Sequence, residues 1–144
     1  MNFNYAGFWR RFLASFLDGI ILMVVNLLIG VVTGLVLGLT GVDSNSTVYI
    51  MVMSVINILN YLVMFSYYVY FIGSRGQTVG KMIMGIKVMK FDGSNPSYVS
   101  AFLREVVGKL LSSIVLLLGY LWMLWDSKKQ TWHDKIAGTV VVRI

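Results

Sequence analysis

The sequence predicts an all-α integral membrane protein, on three observations. Hydrophobic residues make up 58% of the chain and charged residues only 12%, about half the roughly 25% charge of soluble domains. No Lys or Arg occurs between Arg11 and Arg75. Asp18 is the one acid in an apolar run that reaches Leu39. Ionisable groups are expensive in hydrocarbon, so an intramembrane carboxylate marks a candidate functional site. The length of 144 residues suits a single membrane domain over 1–144. There are no cysteines, which excludes disulfides and thiolate metal sites. The net charge of +6 comes from bases at the N-terminus and in the second half. That pattern points to cytoplasmic loops and anionic lipids, and not to nucleic acid.

Two segments are long and apolar enough to cross a bilayer, about 12–39 and about 48–72. The polar turn between them, Thr40 to Thr47, carries one acid and no base. The positive-inside rule therefore places this turn outside and Arg10/Arg11 in the cytoplasm. Phe3, Tyr5, Phe8, Trp9 and Phe12 crowd the first boundary, and Tyr67, Tyr68 and Tyr70 the return, as aromatics do at headgroup level. The first apolar run exceeds a signal-peptide core and lacks a small-x-small cleavage pattern, so it reads as retained. The expected location is the inner (cytoplasmic) membrane, multi-pass, with both termini cytoplasmic.

A third apolar helical region spans about 104–125. Its apolar part, Ser113 to Trp125, is about 20 Å as a helix, too short to cross alone. Before it, Tyr98, Val99, Phe102, Leu103, Val106, Val107, Leu110 and Leu111 share one side, and Ala101, Arg104, Glu105, Gly108 and Lys109 the other. Such an amphipathic helix suits the interface plane, with Asn95 as its cap and Pro96 at its first helical position. Lys128, Lys129, Lys135 and Arg143 make the tail basic. The region is thus either a re-entrant hairpin near Gly119, which keeps the tail cytoplasmic, or a third, tilted span. Ile86–Phe91 alternates and ends at the Asp92-Gly93 turn, and Thr139–Ile144 is β-branched. Both read as strands, expected to pair as a short cytoplasmic ribbon.

The chain resembles the RDD family of small bacterial membrane proteins. The resemblance lies in Tyr5-Ala-Gly-Phe-Trp-Arg-Arg-Phe-Leu-Ala-Ser-Phe-Leu-Asp18, Gly76-Gln-Thr-Val-Gly-Lys81, Gly85-Ile-Lys-Val88, Asp92-Gly93, Arg104, and Gln130-Thr-Trp-His-Asp-Lys-Ile-Ala-Gly-Thr-Val-Val142. It covers nearly the whole chain, in order. It implies one characteristic Arg, Arg11, and two Asp: Asp18, and either Asp134 in the His-Asp-Lys motif or Asp126. It also implies a suspected transport role with no defined substrate.

Arg11, Ser15 and Asp18 share one helical face, the outer two about 10 Å apart along the axis. A ligand, a water or a partner from another helix closes such a gap more easily than direct pairing. Asp18 can hold a proton or cation, or it can pin the helix in a static network. Asn26 and Asn60 fall at similar depth in antiparallel spans, with Asn57 and Tyr61 nearby. They form either part of a polar path or interhelical glue, worth about 0.6–2 kcal/mol per contact. Gly30, Gly34 and Gly38 make a small-residue ridge for packing within the chain or for a homo-oligomer.

Gln77, Thr78, Gly80 and Lys81 look superficially like a phosphate loop. Arg75 stands where that motif needs Gly, and Met82 where it needs Ser or Thr. A solvated or snorkelling Lys81 is the plainer reading. His133 is the sole histidine, so a one-chain metal site is not expected. Beside Asp134 it either titrates or holds a loop. No nucleophile–base arrangement is present, so the chain reads as a non-enzyme without cofactors. Two functions fit. One is ion or small-solute transport, proton- or cation-coupled, through an Asp18/Arg11 site. The other is a membrane-embedded scaffold or regulatory subunit that binds lipids or a partner.

Overall fold

The computed structural model describes residues 3–114 and 118–144. It is mostly helical, with two long apolar helices and a two-stranded sheet. Helix α1 runs Phe8–Leu39 and α2 runs Thr47–Arg75. Helix α1 begins before its apolar run and α2 ends after its own, because helix geometry continues into the flanking aromatic and basic residues. The two helices pass through two compact units. One comprises the chain up to Asp18 and from Phe65 onward; the other is Gly19–Met64.

In the Gly19–Met64 unit almost nothing is buried. Across the most apolar windows of α1 and α2, 6% and 0% of residues are buried. Leu27, Leu28, Val32, Leu35, Met51 and Ile58 are all about 60% exposed. Apolar side chains displayed on every side are what a lipid solvent permits and water does not.

The other unit carries the core and the sheet. Strand β1, Ile86–Lys90, pairs antiparallel with β2, Thr139–Arg143, centred on Val88 opposite Val141. Tyr5 bridges to Val142 on the far edge of β2. Ala6, Ala14, Ile72, Ile86, Val88, Ala101 and Val141 form the buried apolar cluster. Each strand follows a short capped helix, α3 (Val79–Ile83) or α7 (Trp132–Ile136). Thr78 and Thr131 are the N-caps, each accepting a hydrogen bond from the backbone N–H three residues on. Gly85 and Gly138 end the helices with φ of 61° and 62°, the left-handed step that glycine takes without strain.

The two segments are a repeat. Gln77 and Gln130 each donate from Nε2 to the first carbonyl of the following strand, Ile86 O at 3.0 Å and Thr139 O at 2.8 Å. Gln-Thr, helix, Gly and strand recur at identical spacing. The strand pairing is symmetric about Val88 and Val141, which are equivalent positions.

The region 98–125 is not one helix. Helix α4 is Tyr98–Phe102, a π-helical turn follows over Leu103–Gly108, and α5 is Lys109–Ile114. Helix α6 is Leu118–Leu121, closed by a 3-10 turn over Trp122–Leu124. A Cβ on Gly119 would lie 2.6 Å from Ser112 Cα, so the two stretches lie side by side. A continuous helix over 104–125 would separate these residues by about 10 Å. The cap also differs from expectation. Ser97, not Asn95, accepts the hydrogen bond, from Ser100 N, because Pro96 is buried ahead of the helix. The stretch is two-sided. Arg104 and Glu105 are each 3% exposed, whereas Val99 is 70% and Leu110 57% exposed. The charges turn into the protein and the apolar side turns out, the same division into two sides that the sequence pattern predicts.

Candidate functional site

The site is built where α1, the π-helical turn and α7 meet. Asp134 is fully buried and sits at the third position of α7, in a capping box with Thr131. One carboxylate oxygen accepts from Arg11 Nη1 at 2.6 Å; the other meets Arg104 Nη2 at 2.8 Å and Nε at 2.9 Å. Burial alone would raise the Asp134 carboxyl, but Arg104 and Arg11 outweigh it and hold it well below the usual carboxylate range. Arg11 also donates to the Ala6 and Lys129 carbonyls, at 3.1 and 2.7 Å. Arg104 pairs in turn with Glu105, whose second oxygen is 2.5 Å from Lys109 Nζ. The π-helical turn makes this possible, because it points the consecutive residues Arg104 and Glu105 inward together.

Asp18 belongs to an adjacent group. It is fully buried and accepts from Thr78 Oγ1 at 2.5 Å, Gly80 N at 2.8 Å and Tyr67 Oη at 2.8 Å. Gly80 is what lets α3 come this close. A Cβ there would stand 2.1 Å from the Ala14 carbonyl oxygen. Arg11 and Asp18 thus share a helix face but have separate partners. The gap between them is resolved by α3 and α7.

Lys81 is 6% exposed, which corrects the solvated or snorkelling expectation. Its short helix is tucked under Asp18, so the side chain is drawn inside. Its Nζ has Thr78 Oγ1 at 3.5 Å and no carboxylate within ion-pairing distance among the described residues. Burial pushes the Lys81 ammonium down to about 8, against the nearby charge of Glu105. His133 is buried beside Gly108, with Ser112 Oγ 3.4 Å from Nδ1 and the Tyr120 ring against it. Burial pushes it down to about 3 despite Asp134, so near neutral pH it is an uncharged packing group. Asp126 accepts from Lys128 N and Gln130 N and pairs with Lys135, shaping the loop ahead of α7.

These side chains border a cavity of about 460 Å³. Arg11, Lys81, Arg104 and Lys109 line it on the polar side, with Ser15, Thr131 and His133. Phe8, Phe12, Tyr120, Leu121, Met123 and Val141 supply an apolar wall.

The other residues singled out from sequence stand apart. Asn26 and Asn57 donate to the Leu22 and Met53 carbonyls of their own helices. Tyr61 is 62% exposed, and Asn60 Oδ1 has no hydrogen-bond partner among the described residues. A Cβ on Gly30, Gly34 or Gly38 would meet nothing within 4 Å, so the ridge is not used for packing between the described residues. Glu105 and Lys109 are the functional residues that the sequence reading placed on the polar side of the helix without a role in the site. The doubled Gln-Thr signature was the available signal that two equivalent loops frame one site.

Comparison with known proteins finds relatives along nearly the whole chain. The family model described as "RDD family" matches residues 5–138. The chain is 36% identical over 140 residues to the Bacillus subtilis (strain 168) protein named "Uncharacterized protein YckC", covering 94% of this chain and 83% of that one. It is 33% identical over 139 residues to "Uncharacterized membrane protein YteJ" of the same organism, covering 96% and 80%. A "Proline-rich antigen" of Mycobacterium leprae is 32% identical over 72 residues, 50% of this chain and 29% of that one. No solved structure matches. With the family match running from Tyr5 through Arg11, Asp18, Arg104 and Asp134 to Gly138, the chain belongs to the RDD family of membrane proteins.

Proposed function

We propose that this protein binds an anionic solute on its buried bases, in the cytoplasmic membrane, with both termini on the cytoplasmic side and with Lys109–Ile114 and Leu118–Leu121 in the two arms of a re-entrant hairpin. One observation carries the reading: Lys81 lies buried against the cavity without a carboxylate partner among the described residues, beside bases already committed to Asp134 and Glu105. A buried charge persists only when paired or hydrogen-bonded, so a further acceptor is wanted there. Asp18 is already satisfied by three neutral donors, which favours a structural role over a cation carrier. The test is thermal unfolding of the detergent-purified chain with inorganic phosphate, ionic strength held constant with chloride. A saturable rise in Tm is expected. A Tm that follows ionic strength alone would sink the reading.

Transport remains a second reading, on a different observation. Gly30, Gly34 and Gly38 face open space, and Asn60 Oδ1 lacks a partner among the described residues. A second copy seated on that ridge would supply the walls that two spans cannot. Flux in proteoliposomes that is lost in Asp18→Asn, while the variant keeps the wild-type Tm, would favour a carrier role for Asp18. Equal loss of both would favour the structural role.

A further inference from the structure

The cavity is polarised, and its two sides ask for different chemistry in one ligand. On one side, four bases (Arg11, Lys81, Arg104 and Lys109) stand with three acids (Asp18, Glu105 and Asp134), and His133 is neutral. One positive charge is left over, and Lys81 is the base without an acid of its own among these groups. On the other side stand Phe8, Phe12, Leu121 and Met123. Phe12 lines the cavity yet is 50% exposed, and its helix neighbours Trp9 and Phe16 are 72% and 58% exposed. The apolar wall therefore continues onto an apolar outer surface of the same helix.

We propose that the cavity takes the head of a membrane amphiphile carrying a single negative charge, a phosphodiester, with the anion on Lys81 and the first methylenes along Phe12 and Leu121. The inference rests on the anion reading above and narrows it from any anion to an amphiphilic one. A volume of about 460 Å³ is within the range of small-ligand sites. It holds a headgroup and the start of a chain, and the remainder lies along the exposed face of α1. The charge count favours a monoanion, since a dianion would leave an uncompensated negative charge in a buried site. A guanidinium would be the usual phosphate partner, but Arg11 and Arg104 are both committed to Asp134, which leaves the ammonium.

The experiment compares three probes on the full chain in a neutral detergent, read by Tm: inorganic phosphate, dihexanoyl phosphatidylglycerol and dihexanoyl phosphatidylcholine. The phosphatidylglycerol is expected to raise Tm saturably, at a half-saturating concentration at least about tenfold below that of phosphate, because the chains add apolar burial. The phosphatidylcholine is expected to do nothing. If phosphate acts as well as the phosphatidylglycerol, the amphiphile inference falls and the anion reading stands. If neither acts, both fall. If the phosphatidylcholine acts equally well, net charge is not what the site recognises and both fall. Two variants keep the result independent of folding. Lys81→Met is expected to raise the Tm of the unliganded protein and to lose the phosphatidylglycerol response. A lowered Tm with the response retained would overturn the role of Lys81. Phe12→Ala, at a half-exposed position, is expected to weaken the phosphatidylglycerol response alone and leave that to phosphate unchanged. An unchanged phosphatidylglycerol response would overturn the placement of the chain.

Discussion

Buried bases at two positions set opposite flanks of the pH response. The folded protein holds Lys81 at about 8 and His133 at about 3, against 10.5 and 6.5 for the free groups. For each, the unfolded chain binds more protons between the two values, so stability rises with pH in that window. The His133 contribution is complete above pH 6.5 and is lost as pH falls toward 3. The Lys81 contribution is complete above 10.5 and is lost on descending to 8. Tm measured from pH 5 to 10 should therefore climb at both ends of the range. His133→Asn should flatten the acid limb and Lys81→Met the alkaline one. A falling alkaline limb in the wild type would contradict the burial of Lys81. The sequence could not show this burial, because Lys81 lies in a polar motif that reads equally well as a surface loop. The partnership of Arg11 with Asp134 was also beyond it. Periodicity along one helix shows which residues share a face, not which distant segment meets that face.

At the level of elements, close crossings rather than large hydrophobes hold the polar group together. Helix α3 touches α1 at Gly80, and the π-helical turn touches α7 at Gly108, where a Cβ would lie 2.7 Å from His133 Cβ. Gly80→Ala should lower stability by about 1–3 kcal/mol, since the obstacle is the Ala14 carbonyl and not a movable side chain. Gly19→Ala meets nothing within 4 Å and should be neutral or stabilising by about 0.5–1 kcal/mol. Thermal unfolding of the two variants checks the contrast, and a harmless Gly80→Ala would refute the crossing. The long helices and both strands were legible in the sequence, because hydropathy and β-branching report on local environment. The two sides of 98–111 were legible too, but not that the charged side faces the protein. A two-sided pattern does not say which side is inside, and a lipid solvent reverses the answer that water gives.

Taken whole, the molecule divides its stability unevenly. The unit that contains Asp18, Lys81 and Asp134 has a buried core and dense hydrogen bonding. The Gly19–Met64 unit has scarcely any buried residues and depends on its solvent for apolar contact. Transfer from a long-chain to a short-chain detergent should accelerate amide hydrogen exchange over 19–64 well before β1 and β2 lose protection. Simultaneous loss in both would show a single cooperative unit instead. The repeat of Gln-Thr, helix, Gly and strand has one more consequence. Counterpart positions in its two copies are occupied by Lys81 and Asp134. Perfectly twinned copies would have to place like charges there, repelling across the axis. Only by breaking that twinning can a single polypeptide clamp two guanidinium groups on one side and keep an ammonium in reserve on the other.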